Sequence, residues 1–119
     1  MTEINHKALD TIRSLGQAGK KDLLFRLVSQ YLNDTPLAVK AILVALEQSD
    51  FDGIRTNAHT AKSGSAYVGA QDFANRLSQI EQSAREHDLA SCKENCDGLL
   101  EQLNRVEAEL SVVIQEKAA

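Results

Sequence analysis

The stretch His59-Thr60-Ala61-Lys62-Ser63-Gly64-Ser65-Ala66 gathers the side chains of this chain best able to do chemistry. A neutral imidazole nitrogen is a nucleophile near neutral pH and titrates in that range. An exposed His59 can therefore carry a transferable anion, and Lys62 offers that anion a cation. In a helix, Lys62, Ser63 and Ala66 lie one to two turns further along on the side of His59. Projection at roughly 100° per residue puts Ile54, Ala58, Ala61, Ser65 and Val68 on the other face. Small residues there, with Gly64 beside them, let neighbouring helices approach closely and hold the histidine helix rigidly.

A second half of the site follows from counting. The turn after this helix centres near Gly69-Ala70; His59 stands eleven residues before Ala70 and Glu81 eleven after it. In an antiparallel helical hairpin those two positions share a height. Glu81 flanks the stripe Phe73, Leu77, Ile80, Ala84, so it can lean toward the neighbouring helix. A carboxylate there accepts the Nδ1 proton, fixes the tautomer and leaves Nε2 free. Arg85, one turn on, is a second candidate cation for the anion. Arg55, Ser63, Ala66 and Arg85 are the candidate contacts for a partner or a phosphate.

Composition sets the frame. The chain has 119 residues, 43% of them hydrophobic and 25% charged, enough for one domain (1–119) and too few for two. Aromatics make up only 4%, with no Trp and one Pro, and Ala, Leu, Gln, Glu and Lys abound, which favours an all-α fold. A net charge of −4 argues against nonspecific nucleic-acid binding. No apolar run approaches the ~20 residues of a membrane helix, and the first residues lack a signal-peptide core. These features fit the cytoplasm.

Ile4, Ala8, Ile12 and Leu15 suit a short first helix that stops at Gly16, followed by a turn over Gly16–Lys20. A longer pattern runs from Lys21 to Gln48 through Leu24, Val28, Tyr31, Ile42, Leu43 and Leu46, with a kink at Pro36 preferred over a break. Asp50 caps a helix over Phe51–Tyr67 that ends at Gly69, and the next covers Gln71–Glu86. Asp88 caps a last helix from Leu89 to Gln115, whose seam runs Leu89, Cys92, Cys96, Leu99, Leu103, Val106, Leu110, Val113 without interruption. Short connections make neighbours antiparallel. The expected architecture is an antiparallel four-helix bundle with a short additional N-terminal helix laid across it.

A lone exposed histidine on a helix ordinarily does nothing, and Lys62, Arg85 and Glu81 taken singly are ordinary surface charges. Their conjunction carries the reading. Cys92 and Cys96 share a helix face, which would suit a metal, but both lie on the apolar seam and read as small core residues. His6 and His87 read as surface residues.

The conjunction also resembles a family. Ala58-His59-Thr60-Ala61-Lys62-Ser63-Gly64-Ser65, then Val68-Gly69-Ala70 and Ile80-Glu81, is similar to the signature of histidine-containing phosphotransfer (HPt) domains of bacterial multistep two-component relays. That pattern is His, Lys at plus three, often Gly at plus four, Gly-Ala at plus ten and eleven, and Glu or Gln at plus 22. Here Ser63 stands at plus four and Gly64 at plus five. The resemblance spans nearly the whole chain and implies a four-helix phosphocarrier with His59 phosphorylated and Lys62 supporting the phosphoryl group. It implies receiver domains of response regulators or hybrid sensor kinases as partners, with Mg²⁺ only in the receiver and no cofactor here. The opening Ile4-Asn5-His6-Lys7-Ala8-Leu9 resembles the lead-in of HPt modules in hybrid sensor kinases, so both a stand-alone carrier and a kinase module fit, and a monomer is expected. Neither GxxxxGK[ST] nor GxGxxG occurs, which argues against an ATP-using kinase. The non-catalytic alternative is a helical adaptor.

Overall fold

Helix-forming sequence punctuated by capping residues gives six α-helices in the computed structural model, which describes residues 3–16 and 23–118. They are α1 (His6–Gly16), α2 (Leu23–Glu47), α3 (Phe51–Tyr67), α4 (Gln71–Arg85), α5 (Leu89–Cys96) and α6 (Leu99–Ala118). Of the expected Gly16–Lys20 turn, all but Gly16 lies outside the described residues, as does the expected start of the second helix at Lys21. There is no strand among the described residues.

Both acidic caps form. The Asp50 carboxylate accepts from the Gly53 backbone N–H at 3.0 Å, and that of Asp88 from the Ser91 N–H at 3.1 Å. The Ser91 hydroxyl also donates to Asp88, and together these bonds hold the Asp88 carboxyl below its ordinary range. Helix α2 runs unbroken through Pro36, as the resumed apolar spacing required.

The bundle has four rungs. Helices α2, α3 and α4 supply three, and α5 with α6 supplies the fourth by packing against both α2 and α4. Leu9 and Ile12 of α1 enter the same core, as does Ile4 ahead of the helix. The Asn5 N–H donates to the Gly69 carbonyl at 2.8 Å, which fixes the lead-in of α1 to the α3–α4 turn. Gly69 has φ +86, and a Cβ there would stand 2.6 Å from the Asn5 carbonyl oxygen, so the turn requires glycine. No described helix is long and apolar enough to cross a membrane.

One expected element is corrected. The last helix is two, interrupted at Asp97-Gly98, where Gly98 has φ +76 and Asp97 is extended. Cys92, Cys96, Leu99, Leu103, Val106, Leu110 and Val113 are all buried, so the seam stays in register across a break that its spacing does not reveal. The break frees the Asp97 carbonyl, and the Arg76 guanidinium of α4 donates to it. Burial pushes the Cys96 thiol up to about 11 and raises that of Cys92 as well. Both cysteines are unbridged core residues.

Candidate functional site

Helix α3 divides as its sequence dictates. Ile54, Ala58, Ala61, Ser65 and Val68 are buried, while His59, Ser63 and Ala66 are exposed on the other side. Small side chains on the inner face bring α3 against both α2 and α4. On the α2 side, the Tyr31 hydroxyl and Ser65 Oγ share a hydrogen bond of 2.6 Å. Burial pushes the Tyr31 phenol up to about 12, against the opposing effect of side-chain bonds to Ser65 and Thr35.

On the α4 side, Glu81 is the centre. Its side chain is only 5% exposed, more deeply placed than a residue flanking the apolar stripe was expected to be. Three donors converge on it. His59 Nδ1 lies 3.1 Å from Oε2, Arg85 donates to the same Oε2 at 2.8 Å, and Lys62 Nζ donates to Oε1 at 2.8 Å. Burial alone would raise the Glu81 carboxyl, but the Lys62 bond and charge and the His59 contact leave it below its ordinary value. Glu81 is therefore an ionised acceptor, and Nδ1–H of His59 must be the donor. In the neutral ring that bond leaves the lone pair on Nε2, which has no protein partner among the described residues. The His59 side chain is 58% exposed.

The cations differ from expectation in one respect. Lys62 and Arg85 were expected to face an anion on His59, yet both grip Glu81. A buried carboxylate requires such partners, and each cation keeps further N–H donors. Ser63 Oγ donates to the His59 carbonyl at 3.2 Å, one turn back, and Ala66 is exposed a turn further on. Arg55 pairs loosely with Asp52 at 3.9 Å and has no bond to His59 or Glu81 among the described residues.

Beside this face, between α2 and α3, runs an open and largely apolar groove of about 410 Å³. Thr60, Ser63, Gly64 and Tyr67 line its α3 side, and Leu27, Tyr31, Asp34 and Ala38 its α2 side. The sequence reading missed the groove. Its signals were Gly64, which leaves room over the Tyr31 ring, and Tyr67, an aromatic residue on the exposed side of α3.

A helical bundle that holds one exposed imidazole by Nδ1 and leaves Nε2 open has the geometry of a phosphocarrier. Residues 26–109 match the Hpt domain family, and the chain belongs to it; its role is histidine phosphotransfer within a relay. Comparison with curated proteins finds no match. Among solved structures, histidine-containing phosphotransfer protein B from Pseudomonas aeruginosa PAO1 superposes with a TM-score of 0.84 at 21% identity, covering 96% of each chain. A rice structure assigned as a histidine-containing phosphotransfer protein gives 0.82 at 18% identity, covering 98% of this chain and 82% of the other. At these identities the likeness is one of fold.

Proposed function

We propose that His59 is the phosphoacceptor, taking a phosphoryl group from a receiver-domain aspartyl phosphate and passing it to another receiver. The observation that carries this reading is the Nδ1–H bond from His59 to a buried, ionised Glu81 beneath an exposed ring. Nε2 attacks phosphorus, the N–P bond forms, and the P–O bond to the aspartyl group breaks with its electron pair leaving on that carboxylate. The Nδ1 proton stays in place, and Glu81 offsets the positive charge that the ring acquires. Lys62 turns one of its remaining N–H groups to the phosphoryl oxygens. Any Mg²⁺ belongs to the receiver, and the carrier has no need of ATP or a cofactor of its own.

A receiver delivering phosphorus to Nε2 must cover the exposed side of α3. Ser63, Ala66 and Arg55 then lie under it, and the apolar groove beside Thr60 and Tyr67 offers it burial. The chain acts as a single cytoplasmic domain and a monomer, alone or as a module of a hybrid sensor kinase. Incubation with a panel of phosphorylated receivers tests the reading. Acid-labile phosphate mapped to His59 is the expected result; phosphate absent from every receiver pairing overturns it in favour of the helical adaptor, and phosphate found on another residue overturns the assignment to His59.

A further inference from the structure

A carboxylate under a nucleophilic histidine creates a conflict. It orients the ring and fixes the tautomer, but its charge also favours the imidazolium, which has no lone pair on Nε2 to attack with. The site resolves the conflict by placing two cations on one carboxylate. Lys62 takes Oε1, whereas Arg85 takes Oε2, the same oxygen that accepts from His59 Nδ1–H. An oxygen already holding a charge-assisted bond has less charge to offer a second donor.

Resting on the phosphoacceptor reading of His59, we infer that Arg85 is a positioning residue that acts through Glu81, sharing Oε2 so that the carboxylate orients the imidazole while stabilising the imidazolium less. Arg85 is set apart from Lys62 by the oxygen it holds: Lys62 binds Oε1, and Arg85 binds the oxygen that accepts from the ring. Its position one turn after Glu81 on α4 makes the contact intrahelical, independent of partner docking. The remaining charged groups are arranged differently. On α3, Arg55 is paired with Asp52; on α2, Asp34 lines the groove that Thr60 and Ser63 also line. Neither touches Glu81 among the described residues.

The test is an NMR titration of the His59 ring in the unphosphorylated full chain, compared across variants. Arg85→Gln should raise the titration midpoint by roughly half a pH unit, and the pH at half-maximal phosphoryl acceptance should rise with it. Arg85→Lys, which restores a cation, should return the midpoint most of the way to that of the parent. In a Glu81→Gln background the Arg85→Gln replacement should move the midpoint by less than half as much. An unmoved midpoint overturns the inference, and so does an equal shift in both backgrounds, which would show Arg85 acting by its charge through space. The ring titration needs no phosphoryl donor. Failure of the parent to accept phosphate at His59 therefore overturns the functional reading alone.

Discussion

Two histidines belong to the α3–α4 hairpin, and both are exposed. His59 lies within α3, with Nδ1 on a buried carboxylate and two cations behind it. His87 follows the end of α4 with φ +54, its backbone N–H bonded to the Ala84 carbonyl. Its ring stacks on Phe51, the first residue of α3, with centroids 4.7 Å apart and planes 9° from parallel. Among the described residues no carboxylate holds the His87 ring. One histidine is oriented by polar groups and leaves a nitrogen open; the other is laid flat against carbon and closes the end of the hairpin. Accessibility alone does not distinguish the two rings. The partner of Nδ1 does.

The sharpest way to break this contrast is a pair of replacements. His59→Gln should abolish phosphoryl acceptance with stability changed by less than about 0.5 kcal/mol, since an exposed side chain leaves no cavity. His87→Gln should keep acceptance at the parent level. Labelling from a phosphorylated receiver, run beside thermal melts, reads both, and loss of acceptance in the His87 variant would erase the distinction.

Lys62→Ala comes next. Transfer should slow by roughly tenfold to a hundredfold, because a cation next to the developing charge is lost, and the phosphorylated form should hydrolyse faster. A rate equal to that of the parent would leave Lys62 as nothing more than a counter-ion to Glu81. Gly64→Leu probes the other side of α3. A Cβ added there would lie 3.3 Å from the Tyr31 ring, so the larger side chain should cost about 1–3 kcal/mol by pressing on that ring between α2 and α3. An unchanged melting temperature would mean that Tyr31 swings away freely.

The smallest expected effect concerns pH. The Glu81 carboxyl is held below its ordinary value, so its folded pKa lies under its unfolded one. Its contribution is therefore complete above ~4.3 and fades as the pH falls through the lower folded value. Glu81→Gln should melt about 1 kcal/mol less stably than the parent above pH 5, with the difference closing in more acidic buffer. A difference that is constant with pH would show that ionisation of Glu81 plays no part in stability.

Much of this was legible in the residues. Counting outward from Ala70 was enough to pair His59 with Glu81, because a short turn leaves two helices little freedom of register. Asp50, Asp88 and Gly69 marked their helix ends for reasons local to each. The depth of Glu81 was not legible, since a glutamate beside an apolar stripe reads as surface until its partners are known. Lys62 and Arg85 were assigned to an anion because sequence spacing shows which side a cation is on and not what it grips. The break at Asp97-Gly98 escaped for a related reason. Apolar periodicity records which face is buried, and a two-residue interruption that preserves the face leaves the record intact. The Asp-Gly pair itself was the available signal.

Tyr31 and Tyr67 are the only tyrosines of a chain without tryptophan, and both line the groove beside His59. The near-ultraviolet absorption and emission of this protein therefore come chiefly from one small patch of its surface. Tyr31 reports from within, through a hydroxyl bonded to Ser65, and Tyr67 from the rim, where half of its surface meets water. Anything that settles into the groove alters the solvent around one ring and the packing around the other. The protein thus has an optical gauge of what lies beside the exposed face of α3, with no label attached.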